Sequence, residues 1–408
     1  MKHRKIILKV FLLAVMMLSS TLSYSQESVL NPDSLEISLL TCSPHQQVYS
    51  LYGHTAIRLR DQRTGLDVAV NYGVFSFKKP LFIPRFVFGV AEYEIGIIPF
   101  KYFISEYAYY GSSITQQVLN LTPEEKMIIF DAIRVNNMPE NKYYRYNYFY
   151  DNCTTRARDI LVNHIKGGVT YKPRDGKSYR EIIHEKNEGH PWARFGNDLL
   201  LGVGADMPTT QEQRQFLPDN MMIDFENAIR NDNKTPLTDT TMVILNAREQ
   251  IIEKEFPLTP TQCGWVLLIV TIALTIYEII RKKNLRYYDA FLMIMASVMG
   301  IVLFLMLFSE HPTVRLNLQI LLVNPLPLFF IRRLLKRQKN GTRDCQYILW
   351  TILIILFFLG GFIQSYAEGM YLLASSLLIR NIKGIIYHCK RCPFGSRKAS
   401  FDEAKDAL

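Results

Sequence analysis

Cysteine is scarce in this chain of 408 residues. The six stand apart at Cys42, Cys153, Cys263, Cys345, Cys389 and Cys392, which excludes the dense disulfide framework of a small secreted scaffold. No His-x-Glu-x-x-His or comparable cluster occurs before residue 258, so no metal site and no cofactor is expected there. Cys389-Lys390-Arg391-Cys392 has the spacing of half a zinc site and lacks the second half. There is no phosphate-cradling glycine loop, no motif to anchor a serine triad, no internal repeat and no low-complexity tract. What chemistry there is must come from a few isolated residues.

Charge is abundant but confined. The formal net charge is +10, and sixteen Lys and Arg lie in three short segments, 281–286, 332–343 and 380–398. These flank apolar runs, so the excess reads as positive-inside topology and not as a nucleic-acid surface. The runs Gly264–Ile280, Ala290–Phe308, Val314–Ile331 and Tyr347–Ile363 are long enough to span a bilayer, and Ala367–Ile379 is a shorter fifth. Five spans put every basic segment on the cytoplasmic side. At the other end, a basic start, an apolar run from Ile6 to Leu18 and small polar residues up to Ser25 read as a secretory signal peptide. The expected organisation is a signal peptide over 1–25, an exported domain over 26–257, a membrane domain over 258–380 and a basic cytoplasmic tail over 381–408.

Within the exported part, Asp151-Asn152-Cys153-Thr154-Thr155-Arg156 follows the aromatic run Tyr143–Tyr150 and precedes apolar residues at helical spacing. Cys153 is thus expected at a helix N-terminus with Asn152 as N-cap, where the backbone dipole favours a thiolate. A hundred residues upstream, Tyr52-Gly53-His54-Thr55-Ala56 sets a histidine at the mouth of a strand-like run. An imidazole beside the thiol would complete an activated nucleophile, although a buried cysteine is more often a small core residue. The turn around Arg63-Thr64-Gly65 predicts a hairpin that returns Asn71 or Tyr72 opposite His54. Asn71 is the candidate to orient the imidazole. Cys42 fits three roles: a second thiol near the site, a core residue, or the disulfide partner of Cys153.

Other stretches set the frame. Ile37–Cys42 and Ile114–Leu121 read as strands. Thr122-Pro123-Glu124-Glu125 is a capping box opening a helix to about Asn136. The aromatic block Phe75–Tyr110 reads as packed β-structure, with a lipid groove or a bilayer contact as alternatives. From Gly167 to Pro257 helices are expected after Thr210 and over Asp219–Arg230, and Lys254–Pro260 as a linker.

Together, the Cys42-Ser43-Pro44 segment, Tyr52-Gly53-His54-Thr55-Ala56, Asn71-Tyr72-Gly73, Leu119–Pro123 and Asp151–Arg156, with Glu310-His311-Pro312 and Asn324-Pro325-Leu326 in the membrane part, resemble the Lnb-type bacterial lipoprotein N-acyltransferases. The exported domain further resembles the permuted papain-like fold of lecithin:retinol acyltransferase relatives, in which a histidine precedes an Asn-Cys nucleophile. The resemblance implies an α+β periplasmic domain followed by an α-helical membrane domain in the bacterial inner membrane. It implies transfer of an acyl chain from a phospholipid, through a Cys153 thioester, to the α-amine of a diacylglyceryl-cysteine lipoprotein, with His54 as base and then acid. The backbone N–H groups at the start of the Cys153 helix would stabilise the oxyanion, and Arg156 and His311 are candidates to contact a headgroup phosphate. Two other readings fit the residues: a membrane-tethered cysteine peptidase or amidase acting on cell-wall peptides, and a non-enzymatic envelope scaffold.

Overall fold

The computed structural model describes residues 30–45, 50–174, 176–248, 256–340 and 344–390. The stretch expected to be a signal peptide, Gln46 and Gln47, the first residues of the expected linker, Cys392 and most of the basic tail lie outside them.

The N-terminal part is organised by β1 (Leu35–Cys42), buried along nearly its whole length. Its continuous apolar text suits a strand covered on both faces. β2 (His54–Asp61) and β3 (Leu66–Val74) form the expected hairpin, closed by Thr64 Oγ1 on Asp61. The aromatic block is not simply β-structure. It forms a short helix α1 (Phe82–Val87), strand β4 (Glu92–Pro99) and helix α2 (Phe100–Tyr110). Then come β5 (Ile114–Leu119) and α3 (Pro123–Asn136), whose Thr122–Glu125 capping box is present in both directions, a local device worth about 1 kcal/mol. β6 (Tyr143–Arg145) leads into α4 (Cys153–Val162).

Further along, β7 (Val169–Thr170) pairs with β8 (Ile229–Arg230). Between them lie α5 (Tyr179–Lys186), α6 (Pro191–Leu200), α7 (Gln211–Arg214) and α8 (Pro218–Glu226). β9 (Thr238–Leu245) completes a seven-stranded sheet, in the order β6-β4-β3-β2-β1-β5-β9, with antiparallel neighbours throughout among the described residues. Strand alternation sorts the core. Ile37, Leu39, Ile57, Leu59, Val70 and Tyr72 meet Ile129, Ile133, Ala157, Leu161, Met221 and Phe225 on one face. Leu40, Cys42, Ala56 and Ala69 lie under Phe100 and Phe103 on the other.

The C-terminal part contains α9 (Pro260–Arg281), α10 (Arg286–Met306), α11 (Leu326–Asn340), α12 (Gln346–Gly360) and α13 (Met370–Lys390). Three segments among the described residues are long and apolar enough to cross a membrane: Pro260–Arg281, Arg286–Met306 and Leu318–Asn340. Two expectations need correction. The third span is not a continuous helix from Val314 to Ile331, because a 3-10 turn at Leu318–Leu321 stops before α11 begins. Pro325 cannot donate to the preceding turn, and the backbone of Asn324 presses on Gly300, where a Cβ would come within 2.4 Å. The fourth expected span, Tyr347–Ile363, is helical over Gln346–Gly360 alone, a shorter apolar helix than those three, and the expected fifth lies within the 21-residue α13. Charges among these helices are paired: Arg380 binds Asp289 at 2.6 Å and also Glu278, which Lys383 meets at 3.0 Å. Pairing is what makes charges tolerable there.

The two parts meet through backbone. Gly202 N–H donates to Thr313 O and Val203 N–H to Leu316 O, both at 2.8 Å. The side-chain amides of Gln319 and Gln364 donate to the carbonyls of Asp198 and Leu201. Phe149, Leu201 and Phe216 share one apolar cluster with Met306 and Val314.

Candidate functional site

Asn152 builds the site. It takes the extended conformation of an N-cap, and its Oδ1 accepts from the N–H groups of Thr154 and Thr155, both at 2.9 Å. Its amide nitrogen donates to Tyr148 O and Phe216 O. Every polar atom of that buried side chain is therefore used, and the start of α4 is pinned. The arrangement also narrows an expectation. Two of the first-turn N–H groups are consumed by the cap, which leaves the Cys153 N–H as the donor at this helix start with no partner among the described residues.

β2 carries the histidine. His54 Nε2 donates to Asn71 Oδ1 at 3.1 Å. Asn71 pairs with Ala56, two residues from the expected partner, but alternation puts it on the same face as His54, within diagonal reach. With Nε2 held by Asn71, Nδ1 is the nitrogen left to serve the Cys153 thiol, on whose ionisation His54 acts. Gly73, at φ 85°, closes the gap. A Cβ there would lie 3.5 Å from Cys153 Cβ. Thr55 and Thr154 bridge strand to helix through their hydroxyls at 3.1 Å.

Burial opposes ionisation of Cys153. The charge of His54, its hydrogen bond, the Thr55 backbone N–H and the Thr154 hydroxyl outweigh that and bring the thiol down to about 7. For His54, burial favours the neutral ring, but the thiolate and the Asn71 carbonyl raise it above the ordinary imidazole value. Both directions favour a thiolate–imidazolium pair near neutrality. Alkylation of Cys153 by iodoacetamide should therefore rise with pH through a midpoint near 7. His54→Ala removes the cation and its hydrogen bond, so the midpoint should move up towards that of a free thiol. An unmoved midpoint would show that His54 does not act on the thiol.

Cys42 is directly opposite His54 in the β1–β2 ladder. It is fully buried and, like Cys153, a free thiol, so the two form no disulfide. Burial raises its pKa far above the usual thiol range, against a smaller opposing effect of the Tyr107 hydroxyl. The Tyr107 ring in turn stacks on His54, with centroids 6.4 Å apart. Cys42 is thus a core residue of the strand that backs the imidazole.

Arg156 and His311 are both engaged. Arg156 grips Asp151 through two bonds of 2.6 and 2.8 Å and covers the Tyr144 ring at 3.6 Å. It also stands at the rim of an open cleft of about 370 Å³ with Tyr150, Asp159 and His164. His311 is buried, with its Nε2 donating to Phe86 O at 3.2 Å. That employs it in the joint between the two parts. One residue escaped sequence reading. The Tyr144 hydroxyl is buried with no side-chain partner among the described residues, beside the Gly73 backbone, 3.8 Å from where a Gly73 Cβ would stand, and within the field of Cys153. Nothing in an aromatic run distinguishes such a tyrosine from its packed neighbours.

Comparison with known families gives two matches. Residues 23–185 match the Lnb N-terminal periplasmic domain, and residues 251–392 match the Lnb transmembrane domain. Comparison with curated proteins and with solved structures returns no match.

Proposed function

The chain belongs to the Lnb family, a membrane protein with a periplasmic N-terminal domain, and from that premise we propose that it is a thiol acyltransferase of the bacterial inner membrane. It moves an acyl chain from a phospholipid to the α-amine of a diacylglyceryl-cysteine at a lipoprotein N-terminus. The observation that carries this reading is the line Cys153–His54–Asn71 at the end of a sheet whose neighbouring apolar cluster runs into Met306 and Val314 of the membrane part. A thiol poised at about 7, next to the lipid phase, suits an ester donor that never leaves the bilayer. The nucleophile helix lying on antiparallel strands, with the histidine on an earlier strand, supports the permuted papain-like order.

The chemistry follows from the groups present. The Cys153 thiolate attacks the carbonyl carbon of a lipid ester, and the electron pair moves to the carbonyl oxygen. The Cys153 N–H faces that developing charge, and the Tyr144 hydroxyl is the second donor in reach. Collapse breaks the C–O bond, and the His54 imidazolium gives its proton to the leaving alkoxide, releasing lysophospholipid and a thioester. The lipoprotein amine then attacks the thioester carbonyl. His54 takes the amine proton, an amide forms and the thiolate departs.

The test is mass spectrometry of lipoprotein N-terminal peptides from cells carrying wild-type protein or Cys153→Ser. Loss of the amide-linked third chain, with the variant present at normal abundance, is the expected outcome. An unchanged triacyl pattern rejects the reading and directs attention to amide bonds of the cell wall.

A further inference from the structure

Between β3 and β4 the chain makes an excursion that the sheet does not need. Residues 76–89 leave Val74 and return at Val90, carrying α1 at their tip. Phe77, Leu81, Ile83 and Phe86 are 65, 73, 68 and 39% exposed. A soluble domain rarely gathers so many large apolar side chains on one short loop. Leu81 adds a second sign. It sits at φ 54°, a left-handed conformation that leucine seldom takes. Its strained backbone holds the side chain outward.

The position of the loop decides what covers it. Phe88 O accepts from Glu310 N–H at 2.9 Å, and Phe86 O accepts from His311. A Cβ on Gly89 would lie 3.1 Å from Glu310 Cβ. Glu310 and His311 follow the end of α10 by four and five residues. Phe308, beside them, is itself 65% exposed, as expected of a span end facing lipid. Lys78 is exposed within the loop, and Arg85 meets Glu92 at its base. Apolar tips with basic residues behind them match an interface of acyl chains under phosphates.

We propose that residues 76–89 form a hook that inserts Phe77, Leu81 and Ile83 into the outer leaflet of the bilayer that α9–α13 occupy. An aromatic row connects the hook to the thiol. Phe82 stacks on Phe75 at 5.4 Å, Phe75 meets Tyr93 at 5.1 Å, and Tyr93 stacks on Tyr146 at 4.1 Å. Tyr146 lies within the field of Cys153. The hook therefore sets the reacting sulfur at a fixed distance from the protein's own anchor in the leaflet.

The experiment uses full-length Ile83→Trp in vesicles of zwitterionic and anionic phospholipid, with or without brominated acyl chains. The emission added by the new tryptophan, relative to wild type, should fall roughly twofold or more with brominated lipid and resist aqueous iodide. Added emission quenched by iodide alone, or by neither agent, would overturn the hook; the second result would mean that protein covers it. A second arm rests on the acyl-transfer reading. Ile83→Glu should slow transfer from bilayer lipid roughly tenfold while leaving alkylation of Cys153 unchanged. Quenching without an effect on transfer would refute only that second arm.

Discussion

Incubated with a diacyl phospholipid and no acceptor, the wild-type protein is expected to gain the mass of one acyl chain on the tryptic peptide that carries Cys153. Neutral hydroxylamine should remove it, as it removes thioesters and leaves ordinary esters. Cys153→Ala should show no adduct, with a rate loss of about 10⁴-fold or more, the scale seen when a nucleophile acting in concert with its base is removed. Asn71→Ala should behave differently. The nucleophile remains, but the imidazole loses the carbonyl that holds Nε2 at 3.1 Å, so acylation should slow roughly 10²-fold through misplacement of the ring. Its alkylation midpoint should stay below that of a free thiol, because His54 still carries its charge beside the sulfur. A Cys153→Ala protein that still acquires a hydroxylamine-labile chain would place the nucleophile elsewhere.

The second large effect concerns stability. Arg230 is 1% exposed and clasps Glu125 at 2.7 and 2.8 Å, with Asp232 and the Asn120 carbonyl completing its shell. Glu125 is also the third residue of the α3 capping box. Burial disfavours its charge, but Arg230 and the N–H groups of Thr122 and Lys166 hold its pKa below the ordinary glutamate value. Arg230→Met should destabilise the protein by about 3–5 kcal/mol, because it strands a buried carboxylate. In a domain of this size that is a fall in Tm of roughly 10 °C. The pH dependence has a definite sign. In wild type the depressed pKa contributes stability above the ordinary carboxylate range, which is lost as pH falls through it. In Arg230→Met the carboxylate is penalised at neutral pH and relieved by protonation. The gap in Tm between the two proteins should therefore narrow from pH 7 to pH 5. Adding Glu125→Gln, which keeps a capping residue and removes the charge, should recover much of the loss. A gap that does not change with pH would mean the lost contacts, and not the stranded charge, dominate.

Local signals were legible in the residues. Thr122 and Asn152 cap their helices as expected because a cap depends on four or five consecutive residues. The β2–β3 hairpin was legible through its turn, and Asn71 reached His54 even though the register lay two residues away. Elements fixed by tertiary contacts were not. β9 exposes most of its length on the sheet edge, so it shows no alternation to read. α5 and α6 lie in polar text, since their buried residues include Arg180 and Asp198, which pair with each other at 2.7 Å. The aromatic block divides into helix and strand because partners far in sequence decide its packing. His311 is polar, close to a span and suited to a phosphate, yet its position against Phe86 depends on a joint that no single segment encodes. Tyr144 stands out through the pairing of Gly73 with the start of α4, a relation between residues eighty positions apart.

The backbone pairing of Gly202 and Val203 with Thr313 and Leu316 is closer than a side chain would allow, since a Cβ on Gly202 would come within 2.1 Å of Leu316 O. Such a seam leaves little play, so the sulfur stands at a set altitude over the hydrocarbon. Lipid esters have no such fixed height, because they rise and sink with the length of the chains beneath them. On the acyl-transfer reading, the enzyme is therefore also a gauge of bilayer thickness. A membrane of the wrong depth would withhold a chemically suitable donor before any pocket did.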